Sequence, residues 1–202
     1  PTITVDFSDS SLEGNSFVGT FTASDEDGDR ITVSLSGPDA DLFELTSEDR
    51  VRFKRDPDFE SYSDSDSNNI FDFSITVSDG SLSTTSEHSI TLQNALEGRV
   101  VDAPIAGAEV FLDLNGNKER DPGETSVETR PDGRFFMPME AADTEVDSLE
   151  IVAVGGVDTL TGNELPSLVL WANDSEGYAE TGIQITAIST LLAETSGSAE
   201  KQ

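Results

Sequence analysis

The chain has 202 residues, 41 of them acidic and 11 basic, for a formal charge of −30, with a single histidine and no cysteine. Disulfides, thiolate zinc sites and cysteine nucleophiles are excluded; nucleic acid and anionic membranes need a basic patch and are poor partners, so the natural counterpart is a cation. Hydrophobic residues make up 35% and include 11 Phe, and their short alternating runs rule out disorder of the whole chain.

In chain order, Ile3/Val5/Phe7, Phe17/Gly19/Phe21, Ile31/Val33/Leu35, Val51/Phe53, Phe71/Phe73/Ile75/Val77 and Ile90/Leu92 stand two apart. That spacing lines one face of a strand and leaves Ser, Thr and Asp on the other. Turn signals separate the runs at Asp27-Gly28-Asp29, Ser36-Gly37-Pro38, Ser67-Asn68-Asn69 and Asp79-Gly80. About seven strands in roughly 95 residues, with no long helical pattern, predict a β-sandwich. A boundary is expected near residues 93–98, because new strands open at Gly98-Arg99-Val100-Val101. They continue through 108–112, Phe135-Phe136 and runs near 151–154, 168–171 and 183–185. A hairpin is expected at Arg130-Pro131-Asp132-Gly133, leading into Phe135-Phe136, with Pro and Gly where a type I turn prefers them. Helical spacing of Ile188, Leu191 and Leu192 predicts a short helix over 186–194, with a fraying polar sequel.

No apolar run reaches the ~18 residues of a membrane-spanning helix, so no membrane insertion is expected. Pro1-Thr2-Ile3 enters a strand at once without a basic-then-apolar leader, so the segment reads as an excerpt of a longer polypeptide.

Carboxylates carry the chemistry. A hard dication such as Ca2+ takes about six to eight oxygen ligands, which converging carboxylates, amides and carbonyls supply. The sharpest pattern runs from Asp113 to Glu124, with oxygen donors Asp113, Asn115, Asn117, Asp121 and Glu124 at positions 1, 3, 5, 9 and 12. Glu119 can add its backbone carbonyl at position 7. This is EF-hand spacing, with Lys118 where that loop has Gly and with strand-like flanks in place of helices.

The second constellation comprises Glu13, Asp25-Glu26-Asp27, Asp58-Phe59-Glu60 and Asp79. Here Glu13-Gly14-Asn15, Thr22 to Asp29, Asp41-Leu42-Phe43-Glu44-Leu45, Asp56 to Glu60 and Asn69 to Gly80 resemble a cadherin repeat of large bacterial surface proteins, over about residues 1–96. The resemblance implies a seven-stranded sandwich joined end to end with others, with Ca2+ clamped at each junction. It puts Asp25, Asp27 and Asp79 at the end facing a preceding repeat, and Glu13, Asp58 and Glu60 at the end facing the next domain. The family's Asp- and Asn-rich linker is reduced here to Gln93-Asn94-Ala95-Leu96-Glu97. The second half resembles a module of giant repeats-in-toxin-type adhesins through Gly98 to Asp102, the 113–124 loop, Asp132-Gly133-Arg134-Phe135 and Ala153 to Asp158. Around the loop it is also similar to the calcium-binding B repeats of staphylococcal surface proteins.

The reading that follows is all-β: two cadherin/immunoglobulin-like β-sandwich domains in tandem (1–96 and 97–195), a possible short C-terminal helix and a disordered tail over 196–202. Its function is expected to be non-enzymatic: a calcium-stabilised segment of a bacterial cell-surface adhesin, extracellular, with neighbouring β-sandwich domains and a cell-surface glycan or protein as partners. The alternative is a polysaccharide-binding accessory module of a secreted enzyme. Trp171 with Tyr178 could stack on a sugar or cap a core, and His88, beside Glu87 on an edge-like strand, is expected to be a surface imidazole.

Overall fold

The alternating runs become strands in the computed structural model, which describes residues 1–61, 64–101, 103–138, 149–166, 168–174 and 183–186. The chain divides into two units, Pro1–Asn94 and Ala95–Gln202. The helix expected over 186–194, the tail over 196–202 and Tyr178 lie outside the described residues, Thr186 excepted. Among the described residues no helix is long and apolar enough to cross a membrane.

In the first unit β1 (Thr2–Phe7), β3 (Phe17–Ser24), β6 (Arg50–Phe53) and β5 (Phe43–Leu45) form one sheet in that order. The other sheet runs β2 (Ser10–Leu12), β8 (Ser83–Gln93), β7 (Ile70–Ser78), β4 (Thr32–Ser36). The chain therefore changes sheet after β1, β2, β3, β4 and β6, and both sheets close on one core. In β7, Phe71, Phe73, Ile75 and Val77 are buried while the residues between them are half-buried. Phe71 and Phe73 meet Phe43 and Phe53 of the opposite sheet, with ring centroids 4.4 Å apart for Phe43–Phe73 and 5.1 Å for Phe53–Phe71. Each such ring contributes about 1.5–3 kcal/mol through burial.

Two expectations need correction here. Phe17, Gly19 and Phe21 do not share one face, because the β3–β6 register shifts between Phe17 and Gly19. The bulge turns Val18 into the core and leaves Phe17 48% exposed. His88 is not a surface imidazole. It shares the inward face of β8 with Ile90 and Leu92, its ring lies 4.7 Å from that of Phe7 in a T-shaped contact, and its buried Nε2 has no hydrogen-bond partner. Burial lowers its pKa below the ordinary 6.5, against the opposing charge of Asp9. An unfolded chain thus takes up a proton more readily than the folded one as pH falls below about 6.5, and stability falls with it. His88→Phe is expected to match the parent protein at pH 7.5 and exceed it at pH 5 in urea unfolding; equal losses on acidification would place the titration elsewhere.

In the second unit β12 (Ser126–Glu128), β11 (Glu109–Asp113), β14 (Leu149–Val154) and β16 (Val169–Asp174) form one sheet. β13 (Arg134–Pro138), β9 (Ala95–Val100) and β17 (Ile183–Ile185) form a second, and β10 (Ile105–Ala106) with β15 (Val157–Asp158) a small ribbon. Leu96, Val100, Phe135 and Met137 of one main sheet pack with Val110, Leu112, Ile151 and Ala153 of the other in a single core, so this unit too is a sandwich. The expected turn at 130–133 closes with Gly133 N–H donating to the Arg130 carbonyl. It does not close the expected hairpin but carries the chain from one sheet to the other, since β12 pairs with β11 and β13 with β9. Gly98 is required in β9: a Cβ there would strike the Ile183 carbonyl and the Phe135 ring.

Candidate metal centres

Asp25 follows β3 and Asp79 begins the β7–β8 turn, and each fixes itself through its own turn. Asp25 Oδ1 accepts the N–H groups of Asp27 and Asp29; Asp79 Oδ1 accepts those of Ser81 and Leu82. With Pro1 as the first residue, the Oδ2 atoms converge on one positive charge, the Pro1 ammonium, at 3.1 Å from Asp25 and 4.0 Å from Asp79. That ammonium and the Asp29 N–H hold Asp25 below the usual carboxylate range. For Asp79 the Leu82 and Ser81 N–H groups do so. Asp27 enters through its backbone N–H, and its side chain is exposed.

At the other end of β7, about 30 Å away by the rise of a nine-residue strand, Glu13 comes to Asp58 and Glu60. Ligand oxygens of the three lie within 4.8 Å of one another, the one such trio of acidic or imidazole side chains among the described residues. Glu13 is only 1% exposed. Its N–H donates to the Gln93 carbonyl, Gly14 N–H to the Pro57 carbonyl, and its Oε2 accepts Phe59 N–H at 2.9 Å. Asp58 Oδ1 accepts the N–H groups of Glu60 and Ser61. A buried carboxylate facing two others is a costly arrangement for a chain alone and a suitable donor set for a hard dication.

The 113–124 loop of the second unit is wound around its first and last acids. Asp113, with its side chain fully buried, accepts Asn115, Gly116 and Asn117 N–H at Oδ1 and Lys118 N–H at Oδ2. Glu124 accepts Leu114 N–H at Oε1 and Asp121 N–H at Oε2. Asp121 Oδ2 takes the side-chain amides of both Asn115 and Asn117 at 2.7 Å. Glu119 is exposed and gives its N–H to Asn117 Oδ1. Burial opposes ionisation of Asp113, but the Lys118, Gly116 and Asn115 N–H groups and the Lys118 charge outweigh it and keep its pKa low. Lys118 adopts φ +63°, the left-handed backbone that its position in the loop demands. Its ammonium pairs with Glu150, stands 3.7 Å from Asp113 Oδ2 and lies 5.3 Å from the centre of the Trp171 ring.

Sequence reasoning missed a buried acidic group in the first unit. Asp39, 3% exposed, accepts Ser65 N–H at Oδ1 and Asp72 N–H at Oδ2, pinning the 64–69 turn to β7. Asp64 and Asn69 in that turn are also buried. The available signal was the spacing Asp64-x-Asp66-x-Asn68, which repeats that of Asp113-x-Asn115-x-Asn117.

No family model matches the sequence, and no curated protein matches it. Among solved structures the chain is similar to human protocadherin-24 EC1-2 at 14% identity, covering 92% of this chain and 99% of that one, with a TM-score of 0.34. It is similar to Drosophila N-cadherin EC1-4 at 12% identity, over 92% of this chain and 49% of that one, with a TM-score of 0.40. For mouse cadherin-23 EC22-24 the values are 14%, 89%, 62% and 0.30. Scores this low add nothing to the sandwich architecture, which rests on the strand pairing and cores described above.

Proposed function

We propose that the chain is a non-enzymatic, calcium-stabilised segment of a large extracellular adhesin of the bacterial cell surface. Its partners on this reading are neighbouring β-sandwich domains of the same polypeptide and a cell-surface glycan or protein. The observation that carries the calcium reading is the trio Glu13, Asp58 and Glu60, whose most buried member has two carboxylates as neighbours. Asp25 and Asp79, with Asp27 beside them, are the second set on this reading, and Asp113, Asn115, Asn117, Glu119, Asp121 and Glu124 the third. Bound Ca2+ supplies charge neutralisation at these clusters. The chain's own residues do the rest: backbone N–H groups orient each carboxylate, and the sandwich holds the turns that bear them. Sites of extracellular modules have dissociation constants of about 10⁻⁴–10⁻³ M, so they fill outside a cell and stay empty in cytosol.

Thermal unfolding in Ca2+ and in chelator tests this. Ca2+ at a hundred times its dissociation constant is expected to stabilise the chain by about 2.7 kcal/mol per site. Glu60→Gln is expected to change sign with conditions. In chelator it raises the first unit's stability by removing a like charge, and in Ca2+ it lowers it by removing a ligand. Identical melting with and without Ca2+ would overturn the proposal.

A further inference from the structure

The turn that leads into β7 shares more with the 113–124 loop than its spacing. Its fourth and sixth positions are left-handed, Ser67 at φ +60° and Asn69 at +58°, as are Gly116 at +76° and Lys118 at +63°. Asn68 N–H donates to Asp64 Oδ2 as Asn117 N–H donates to Asp113 Oδ1. Ile70 N–H donates to Asn68 Oδ1 as Glu119 N–H donates to Asn117 Oδ1.

The difference between the two lies in what remains unsatisfied. Both oxygens of Asp113 take N–H donors, whereas Asp64 Oδ1 takes none, although Asp64 is only 7% exposed. Its neighbour is another acid. The Asp66 carboxyl is raised above its ordinary value by desolvation, then by hydrogen-bond-range contact with Asp64 and by the charges of Asp64, Asp39 and Asp72. Asn69 Oδ1 on the same turn is a second buried oxygen without a donor. Among the described residues no basic side chain pairs with Asp64 or Asp66. A carboxylate with one buried, donorless oxygen and a second carboxylate beside it is strongly unfavourable unless a cation or a shared proton joins the pair.

We propose that the 64–69 turn is a separate cation site, taking a hard divalent ion such as Ca2+ through Asp64 Oδ1 and the Asp66 carboxylate. Two protein carboxylates with water completing the shell make a weak site of the extracellular kind. Its role is to fix the turn from which the most buried strand of the first unit departs. It shares no ligand with the Glu13–Asp58–Glu60 trio, so it stands or falls separately from the function proposed above.

The test is calorimetric Ca2+ titration of the full 202-residue chain, paired with amide NMR shifts. Asp66→Asn, at an exposed position, is expected to bind one ion fewer than the parent protein, and the amides of residues 64–69 are expected to lose their response to Ca2+. Asp64→Asn, which keeps an acceptor for Asn68 N–H, is expected to show the same deficit. Asp66→Asn combined with Glu60→Gln is expected to lack two ions. Unchanged stoichiometry in Asp66→Asn, with amides 64–69 indifferent to Ca2+ in the parent protein, would assign the pair a shared proton and overturn this site. If Glu60→Gln still removed an ion in that case, the function proposed above would survive. A chain that bound no Ca2+ at all would sink both.

Discussion

Phe73→Ala is expected to cost the first unit about 3–5 kcal/mol, read as a lower free energy of urea unfolding. The ring sits at the middle of β7, 2% exposed, and touches both sheets. Its centroid is 4.4 Å from Phe43 of β5, 5.9 Å from Phe7 of β1 and 5.7 Å from His88 of its own sheet. Truncation opens a cavity exactly where hydrogen-bonded ladders on either side keep the sheets from closing over it. Phe73→Leu retains most of the volume and is expected to cost less than about 1.5 kcal/mol. Equal losses for Leu and Ala would mean that the sheets do collapse and that ring shape, not volume, decides the packing.

Asp113→Ala is expected to destabilise the second unit by about 2–4 kcal/mol even in chelator, because it strips a charged acceptor from four backbone N–H groups. Water can reach part of the loop, which keeps the figure below the sum of four charge-assisted bonds. The carboxylate titrates below its ordinary 3.8 in the fold. Its stabilisation is therefore complete above that value and lost as pH falls through the lower, folded-state pKa. Asp113→Asn keeps one acceptor and should lie between the two. A calcium role adds to this baseline: the loss in Ca2+ should exceed the loss in chelator. A loss seen only in Ca2+ would show that the N–H contacts contribute little by themselves.

The long strands were legible because period-two alternation over β1, β4 and β7 is a local property, unaffected by what the other sheet does. The short strands β2, β5, β10 and β15 hold two or three residues each, too few for any period. The bulge at Phe17 leaves no mark in an alternating pattern, since it depends on pairing with β6. The 113–124 loop was visible because its donors are sequential. By contrast, Glu13 and Asp58 are 45 positions apart, and only the resemblance, not spacing, linked them. The acids at 64 and 66 passed unnoticed in a chain with 41 carboxylates, because what distinguishes them is burial without a donor, a property of the folded chain.

Each unit has an early strand paired in parallel with its last described strand. β2 runs parallel to β8, and β9 parallel to β17. Asp9 and Gln93 carbonyls accept Thr91 and Glu13 N–H across the first pair, and the Ile185 carbonyl accepts Val101 N–H across the second. Tension along the polypeptide draws the two members of such a pair in opposite directions along their length. Bonds that lie across the pull are loaded in shear and share the force, whereas antiparallel partners drawn from one end would open bond by bond.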